Sequence, residues 1–341
     1  MPTITDVAKR AGVAPITVSR VINNSGYVAA GVRTRVEAAV VELGYVPNRL
    51  ARSLRSRRTN TLALVLTDIT NPFFTTVARG VEDAASDAGF MVMVCNTDER
   101  ESEESKYLRL LLSHRVDGIL LVPARGAEAS ATFVASQQTP LVILDRRAPG
   151  VAADVVRCDS VTGAGDLGRL LVSLGHERVA VLSGPEGTTT SDDRVRGFTE
   201  AFAAAGRDEP RVWRGVLTQD SGAAMTAEAL RAEPAPTALF AVNNFLTIGA
   251  LRGLRAAGRR VPEDVALVGF DDLPPALVTF PFLTVAAQPA YDMGRRAVEL
   301  LLARIHGTET GPPQEIVLPT ELVVRLSSGS PLATGAPRAT P

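Results

Sequence analysis

Residues 16–24 read ITVSRVINN, and this stretch decides the fold of the amino-terminal region. Its β-branched residues are individually indifferent helix formers, yet their spacing predicts a short amphipathic helix. One face of that helix is apolar and carries Val18, Val21 and Ile22. The opposite face displays an isoleucine, an arginine and short hydrogen-bonding side chains: Ile16, Ser19, Arg20 and Asn23. The apolar face predicts packing inside a small domain, whereas the mixed face predicts contact with a partner.

Two further helices are predicted on either side of this one. Apolar residues spaced at i, i+3, i+4 and i+7 predict the first of them, at Ile4, Val7, Ala8 and Ala11. Thr3 or Thr5 can cap that helix, and Gly12 suits the left-handed turn that follows it. The other helix, which ends at Gly44, is predicted from Val32, Val36, Val40 and Leu43. Two short helices joined by a glycine turn and braced by a third form a helix-turn-helix.

The charge of the chain is unevenly distributed. Residues 1–60 hold ten basic and three acidic side chains, a net charge of +7. The rest of the chain holds 26 basic and 34 acidic side chains, a net charge of −8, so the total is −1. A basic head on an acidic body indicates that the head meets a polyanion, and duplex DNA is the partner that a helix-turn-helix binds.

The mixed face of the second helix suits the major groove of DNA. Arg20 can bind guanine with two hydrogen bonds, while Pro15 and Ile16 can contact thymine methyl groups. The short donors suited to phosphate are Thr17, Ser19 and Asn23. The alternative is a small helical bundle with a merely polar face. The exposed Ile16 and the surrounding positive charge favour DNA binding over that alternative.

The head resembles the headpiece of the LacI-type repressors, the family of the lactose, galactose and purine repressors. Two stretches carry the resemblance, TITDVAKRAGVAPITVSRVINN at 3–24 and YVAAGVRTRVEAAVVELGYVPNRLARSL at 27–54. The resemblance implies that Pro15, Ile16 and Arg20 set the base preference, and Thr5 joins the predicted DNA contacts. Ala14 stands where the family usually has a serine cap, a change that costs about 1 kcal/mol.

Residues 47–60, PNRLARSLRSRRTN, are predicted to form a hinge between head and body. Asn48 can cap one short helical stretch, Arg49 to Arg55, which is marginal alone in water. The resemblance implies that this hinge helix enters the minor groove and that Leu54 wedges a base step open. The predicted hinge contacts with DNA are Asn48, Arg49, Arg52, Leu54 and Arg55. A basic flexible tether is the alternative for the unbound protein.

From residue 61 onward, apolar runs alternate with helix-length segments. The runs are TLALVLT, FMVMVCN, VDGILLVP, PLVILD, RVAVLSG, TALFAVNN and VALVGFDD. This alternation predicts an α/β body with doubly wound parallel sheets. The predicted domains are 1–46 for the helix-turn-helix, 47–60 for the hinge, 61–325 for the body and 326–341 for a disordered tail. Within the body, 61–160 plus 290–325 and 161–289 are expected to form two subdomains with a cleft between them.

Polar and aromatic side chains follow many of the predicted strands. In open parallel sheets, ligands bind beyond the carboxyl ends of the strands, so these side chains are expected to converge there. Carboxylates, amides and an arginine beside aromatic rings suit a polyhydroxylated ring, because polar groups bind hydroxyl pairs and aromatic rings cover C–H faces. The predicted contacts are Asn71, Phe73, Phe74, Asp145, Arg146, Thr190, Arg194, Leu217, Asn243, Asp271 and Gln288. For Asn71, which precedes Pro72, a role as a helix cap is a strong alternative.

The body resembles the periplasmic sugar-binding proteins, as the regulatory cores of LacI-type repressors do. Most of the predicted contacts match pocket positions of ribose-type binding proteins. Two residues depart from that pattern: Leu217 replaces a stacking aromatic residue, and Thr188 replaces an arginine that purine-binding members use. The resemblance therefore implies a monosaccharide effector, such as a pentose, and argues against a purine.

Two other functions are alternatives to a sugar-controlled DNA-binding regulator. Gly163 to Gly168, GAGDLG, fits the dinucleotide-binding pattern and raises the possibility of a nucleotide-dependent enzyme. A true site follows a strand directly and has an acidic residue at the end of the next strand, and both features are missing. We interpret these glycines as close packing of a helix. A sugar-binding transport protein without a regulatory role predicts an export signal and no basic head, the reverse of this sequence.

Catalysis, metals and membranes find little support in the sequence. The three histidines are scattered, and no metal-ligand spacing, Walker loop or nucleophile elbow is present. No apolar run is long enough to span a bilayer. Cys95 and Cys158 lie beside apolar runs, as buried thiols of a reducing cytoplasm do. We therefore expect a cytoplasmic homodimer, not an enzyme, without cofactor or metal, that represses transcription allosterically.

Overall fold

The computed structural model describes residues 2–46, 58–273 and 282–330. The chain forms two compact units, residues 1–59 and 60–341. The predicted hinge contacts Asn48, Arg49, Arg52, Leu54 and Arg55 lie outside the described residues. Within the described part of the chain, no helix combines the length and apolar composition that crossing a membrane requires.

Residues 2–46 of the first unit form three helices, α1 (Ile4–Ala11), α2 (Pro15–Ile22) and α3 (Ala30–Leu43). A capping box between Thr3 and Asp6 begins α1, which makes Thr3 the cap of this helix. Gly12 and Gly44 end α1 and α3 in the left-handed conformation, at φ values of 66° and 59°. The core is formed by Val7, Ala8, Ala11, Val18, Val21, Val36 and Ala39. The predicted helix-turn-helix is therefore confirmed.

The described residues of the second unit form two six-stranded sheets, each flanked by helices. In the first sheet the strand order is β11-β5-β4-β3-β1-β2, and all neighbours run parallel. Its strands are β1 (Thr61–Leu66), β2 (Met91–Asn96), β3 (Gly118–Leu121), β4 (Leu141–Leu144), β5 (Asp154–Cys158) and β11 (Glu315–Leu318). Its helices are α4 (Pro72–Asp87), α5 (Glu101–Ser113), α6 (Glu128–Ser136) and α11 (Ala290–His306). These elements form the first subdomain.

In the second sheet the order is β12-β10-β9-β8-β6-β7, and only β12 runs antiparallel to its neighbour. Its strands are β6 (Val179–Ser183), β7 (Arg211–Arg214), β8 (Ala238–Ala241), β9 (Ala266–Phe270), β10 (Thr284–Ala287) and β12 (Glu321–Val323). Its helices are α7 (Ser160–Ser173), α8 (Thr189–Ala204), α9 (Gln219–Ala229) and α10 (Asn244–Ala256). The central strands are buried on both faces, as parallel sheets covered by helices require.

The expectation that all of residues 290–325 belong to the first subdomain is wrong. β12 pairs with β10 of the second sheet, so the chain returns to the second subdomain after β11. That assignment fails because β11 and β12, which are separated by only two residues, extend different sheets. The subdomains are thus joined at three places, after β5, after β10 and after β11.

The predicted disorder of 326–341 is wrong at its start. Leu326–Ser328 form a 3₁₀ turn, and Ser327 and Ser328 are fully buried. Ser327 Oγ donates to Leu267 O at 2.6 Å and accepts from Thr284 N at 2.8 Å. Serine favours disorder by composition, but here its small hydroxyl satisfies backbone groups near the ends of β9 and β10. Residues 331–341 lie outside the described residues.

The glycines of the dinucleotide-like pattern lie within α7, not in a loop between a strand and a helix. Gly165 and Gly168 face α8 at close range, whereas Gly163 faces Thr320 and Phe270. A Cβ on Gly168 would lie 2.9 Å from Ala201 Cβ, and a Cβ on Gly197 of α8 would lie 2.0 Å from Val161 O. Such distances exclude any side chain at these positions, as our interpretation of close helix packing requires.

Candidate functional site

The candidate DNA-binding face lies on α2. Ile16 is 55% exposed although α2 packs Val18 and Val21 into the core. Pro15, Arg20 and Asn23 are also exposed, as is Thr5 on α1, while Thr17 and Ser19 are half-buried. The structure therefore leaves most of the predicted contacts open on one helix and its neighbour. The exposed side chain of Ile16 is therefore available for an apolar contact with a partner.

Two details concern the ends of α2. Ala14 occupies the N-cap position in an extended conformation and offers no side-chain hydrogen bond, as its departure from the family serine predicts. Asn23 Nδ2 donates to Ser19 O at 2.8 Å and to Ser19 Oγ at 3.2 Å. These two phosphate-binding candidates are thus held together within the helix.

A cavity of about 500 Å³ lies at the carboxyl ends of the strands of both sheets. From the first subdomain it is lined by Asn71, Phe73, Phe74, Asp145 and Arg146. From the second subdomain it is lined by Thr190, Arg194, Leu217, Asn243, Asp271 and Gln288. All eleven side chains predicted to contact an effector therefore meet in one cavity. Its size suits a small organic ligand.

The aromatic part of the cavity is fixed by the start of α4. Phe73 and Phe74 are nearly buried, with ring centroids 5.0 Å apart and planes at 64°. Asn71 caps the helix, because its Oδ1 accepts from Phe73 N at 3.0 Å. The same oxygen accepts from Asn244 Nδ2 at 2.8 Å, which joins the two subdomains. The cap role weighed for Asn71 is present, and its side-chain oxygen is already occupied.

Arg194 is held in position by the second subdomain. It is 4% exposed, and its Nη1 donates to Val242 O at 2.8 Å while Nε donates to Ser160 Oγ at 3.3 Å. The guanidinium lies 3.8 Å from the centroid of the Phe270 ring. Its Nη1 is also 3.9 Å from Asp271 Oδ2. Backbone, hydroxyl and aromatic ring together fix one orientation of this charge.

Arg146 is held by groups of the first subdomain. Its two terminal nitrogens donate to the carboxylate of Glu99 at 2.8 and 2.5 Å, and Nη1 also donates to Pro123 O at 3.0 Å. The side chain is buried, so the fork of two hydrogen bonds compensates for much of the lost hydration. Glu99 also lines the cavity, although it was not among the predicted contacts.

The electrostatics of the cavity centre on Asp145. Burial raises the pKa of Asp145 to about 6, while the positive charges of Arg194 and Arg146 oppose that shift. Asp145 belongs to the first subdomain and Arg194 to the second, so charges on the two sides of the cavity interact electrostatically. Outside the cavity, burial raises the pKa of Glu104 to about 7, against a hydrogen bond from Ala124 N.

A bidentate ion pair joins the subdomains next to the cavity. Arg147 Nη1 and Nη2 donate to the two carboxylate oxygens of Asp193 at 2.6 and 2.9 Å. Arg147 N donates to Thr189 Oγ1 at 3.1 Å. Arg147 follows β4, whereas Thr189 and Asp193 lie on α8. Each partner of the ion pair is adjacent in sequence to a cavity residue, Arg146 on one side and Arg194 on the other.

Further residues that were not among the predicted contacts also line the cavity. They are Thr67, Asp68, Asp98, Glu99, Arg125, Pro185, Thr188, Ser191, Val216, Thr218 and Phe245. Most of them follow a strand within a few residues, as the selected residues do. Applying the strand-end rule to every strand would have found Asp98 and Glu99 after β2 and Val216 after β7.

Comparison with known proteins gives matches over both units. The family described as bacterial regulatory proteins, lacI family, matches residues 3–48. The family described as periplasmic binding proteins and sugar binding domain of LacI family matches residues 59–324. The transcriptional regulator DegA of Bacillus subtilis is 37% identical over 97% of this chain and 99% of its own length.

Two solved structures extend these matches to three dimensions. The transcriptional regulator CelR in complex with cellobiose is 37% identical, with a TM-score of 0.73 over 96% of this chain and 100% of that chain. The lac repressor dimer bound to operator and the anti-inducer ONPF is 26% identical, with a TM-score of 0.86 over 96% and 99% of the two chains. Each comparison covers the helical head and the two-sheet body in the same order along the chain.

Proposed function

The chain belongs to the LacI family of bacterial regulatory proteins, and from this premise we propose that it is a repressor controlled by a sugar. It is a DNA-binding transcriptional regulator with a helix-turn-helix head and a sugar-binding type of body. The proposal rests on one observation. The same chain has an exposed helix suited to contacting bases, α2, and a cavity lined by the eleven side chains that were predicted to contact a ligand. A regulator needs both parts, and a transport protein needs only the second.

The DNA-binding half of the proposal rests on α2. Pro15, Ile16 and Arg20 are proposed to contact base edges in the major groove. The side chains proposed to contact the phosphate backbone of the DNA are Thr5, Thr17, Ser19 and Asn23. A homodimer would place two such helices on the half-sites of a palindromic operator. The dimeric, operator-bound lac repressor, which shares the fold of this chain, supports that arrangement.

The sugar-binding half rests on the chemistry of the cavity. Asp145, Asp271 and Gln288 offer acceptors for hydroxyl groups, while Phe73 and Phe74 offer apolar surface for a ring. The cellobiose complex of CelR supports a sugar as the class of ligand. We propose a small sugar of one or two rings. A cavity of about 500 Å³ has room for either. The single ring expected from the sequence is the smaller of these two ligands.

The coupling between the two halves is proposed to act through subdomain closure. A ligand shifts a conformational equilibrium only through its different affinities for the two states. A sugar held between Asp145 and Arg194 favours one closure angle, which the neighbouring Arg147–Asp193 ion pair also stabilises. We favour induction, in which the bound sugar releases DNA.

The proposed function includes no catalytic step and places the protein in the cytoplasm, where its operator DNA is. The known proteins that it matches are transcriptional regulators, which supports a regulator that is not an enzyme. A binding role accounts for the cavity residues without a nucleophile or a metal.

A combined binding experiment tests the proposal. Genomic fragments selected by the purified full chain would first provide an operator, and a scrambled fragment of equal length is the control. A thermal-shift screen of sugars and nucleosides would then identify effectors, because a ligand of the folded state raises the melting temperature. Finally, gel-shift titration with and without the effector should show a changed operator affinity. Preference for no fragment, or an unchanged affinity with a sugar that binds, contradicts the proposal.

A further inference from the structure

The first turn of α7 lies at a crossover between the two subdomains. The chain leaves β5 at Cys158, and α7 begins two residues later at Ser160. Asp159 caps the helix, because its Oδ1 accepts from Thr162 N at 3.0 Å. The same residue is tied to the crossover after β11, because Asp159 N donates to Leu318 O at 2.8 Å. The crossovers after β5 and after β11 therefore lie side by side at this turn.

Gly163 packs this turn directly against the crossover after β11. A Cβ atom on Gly163 would lie 2.4 Å from Thr320 Oγ1, 3.1 Å from Thr320 Cβ and 3.2 Å from Phe270 Cε2. Thr320 lies between β11 and β12, and Phe270 ends β9. Carbon atoms in contact usually lie about 3.5–4.0 Å apart, so this position has no room for a methyl group. The first glycine of the dinucleotide-like pattern is thus required for this contact.

The same turn also holds the cavity residue Arg194. Arg194 Nε donates to Ser160 Oγ at 3.3 Å, and its guanidinium lies 3.8 Å from the centroid of the Phe270 ring. All three side chains are buried, with exposed fractions of 4% for Arg194, 2% for Ser160 and 0% for Phe270. A closely packed interior transmits displacements between neighbours. A ligand that moves Arg194 therefore acts on Ser160 directly and on Gly163 through the Phe270 ring.

We propose that residues 160–163 and Thr320 form a joint that transmits the engagement of Arg194 by a sugar to the crossovers between the subdomains. This inference rests on the proposed function and specifies how the cavity is coupled to subdomain closure. Closure rotates the subdomains about their crossovers, and the joint holds two crossovers against each other, so the closure angle and the orientation of Arg194 depend on each other. The described lining of the cavity includes neither Gly163 nor Thr320, so the joint acts without touching the ligand.

A methyl group at position 163 tests the joint with the full-length protein. Alanine suits a helix better than glycine does, so Gly163→Ala acts through the contact with Thr320 and not through the helical backbone. Ribose, glucose and cellobiose are the probes, and the sugar that raises the melting temperature most is used. The response to sugar is the ratio of the operator affinities without and with saturating sugar, measured by gel-shift titration. Gly163→Ala should reduce this response at least about fivefold.

A second substitution across the joint should reverse the effect. Thr320→Ala removes the hydroxyl that the new methyl group meets at 2.4 Å and leaves only Thr320 Cβ, at 3.1 Å. The double variant Gly163→Ala/Thr320→Ala should therefore recover most of the response to sugar. A protein that is merely destabilised would melt at a lower temperature but keep the full response.

Matched controls separate the joint from other effects on α7. Gly165→Ala adds the same methyl group, but its nearest neighbour is Nη1 of the exposed Arg169 side chain at 3.1 Å, so the response should be unchanged. Ser160→Ala adds no volume and removes the acceptor of Arg194 Nε, so it should also reduce the response. Ser173→Ala makes the same change at the exposed end of α7 and should leave the response unchanged.

The outcomes distinguish the joint from the proposed function. A full response to sugar in either Gly163→Ala or Ser160→Ala overturns the inference and leaves the proposed function intact. A loss that Thr320→Ala does not reverse, or an equal loss in Gly165→Ala, also overturns it. If Gly163→Ala does not fold, Ser160→Ala decides alone. If none of the three sugars binds the parent protein, or if the bound sugar leaves its operator affinity unchanged, the proposed function fails, and the inference fails with it.

Discussion

Asp145 and Asp271 occupy equivalent places in the two sheets. Asp145 directly follows β4 and Asp271 directly follows β9, and both have the left-handed backbone, at φ values of 64° and 73°. Their backbone N–H groups donate to the neighbouring strand, to Val156 O at 2.9 Å and to Ala286 O at 3.0 Å. Left-handed non-glycine residues are strained, and the flanking hydrogen bonds hold them in place. The related architecture of the two subdomains thus places one carboxylate on each side of a single cavity.

Replacement of Asp271 should separate sugar binding from DNA binding. We expect Asp271→Asn to abolish the effect of the sugar on operator affinity, because the charged acceptor beside Arg194 is lost. Operator affinity without sugar should be unchanged. Asparagine tolerates the left-handed backbone, so this variant avoids the added strain of Asp271→Ala. Gel-shift titration with and without sugar measures the effect, and full inducibility of the variant would show that the cavity is wrongly assigned.

The affinity for the sugar should depend on pH through Asp145. The pKa of Asp145 is raised to about 6 in the unliganded protein, so the carboxylate takes up a proton as the pH falls through that value. Hydroxyl donors favour the ionised form, and binding therefore lowers this pKa and releases a proton. Affinity should rise with pH up to about 6 and level off above it. Calorimetry across this range should show the slope in the parent protein and a flat profile in Asp145→Asn.

The ion pair between Arg147 and Asp193 should contribute to sugar binding without touching the sugar. We expect Arg147→Ala to weaken binding about tenfold, or about 1.4 kcal/mol, because the variant loses a contact that joins the subdomains around the cavity. Arg196 donates to the same carboxylate at 3.1 Å but lies on the same helix as Asp193, so Arg196→Ala is the matched control and should have little effect.

A charge exchange tests whether the ion pair itself is responsible. Arg147→Asp and Asp193→Arg should each weaken sugar binding, and the double variant should recover a large part of the loss. A coupling of about 0.5–3 kcal/mol is usual for residues in contact. Additive effects in the double variant would show that the two positions act independently of each other.

Loss of Arg20 should reduce operator affinity by about 1–3 kcal/mol and relax the preference at one base pair in each half-site. The exposed guanidinium on α2 is the group proposed to bind guanine. Binding titrations on operators with single base changes measure both effects. Arg255→Ala removes an equal charge from an exposed position on α10 and should leave operator affinity unchanged. A uniform loss on all sequences would assign Arg20 to phosphate binding.

A serine at position 14 should stabilise α2. Ala14 has the extended backbone of an N-cap residue but provides no acceptor, and Pro15 follows it. Ala14→Ser would supply a hydroxyl acceptor for the backbone N–H groups of the first turn and raise the stability of the helix by about 1 kcal/mol. Amide hydrogen exchange of α2 in the full chain measures this gain. Ala38→Ser, within the exposed part of α3, should give no such protection, because it lies away from any helix start.

The sequence by itself determined the elements and the neighbourhood of the site. Apolar spacing identified α1, α2 and α3, and alternation of apolar runs with helical segments identified the parallel sheets. Because parallel strands end at a common edge, residues as distant as Asn71 and Gln288 could be assigned to one cavity before any coordinates were known. These features depend on local patterns, which neighbouring residues in the chain encode.

The tertiary structure alone decided which polar atoms are free to bind a ligand. Asn71 looked like a ligand contact, but its oxygen is taken by Asn244, 173 positions away. Glu99 accepts hydrogen bonds from Arg146, and Asp271 accepts one from Gln288, whereas Asp145 Oδ1 has no hydrogen-bond partner in the part of the chain that the structure describes. The tertiary structure alone also decided which sheet β12 joins and that Ser327 is buried. The hydrogen-bond partners of a residue depend on which distant segments of the chain pack against it. The local amino-acid pattern around the residue does not specify that packing.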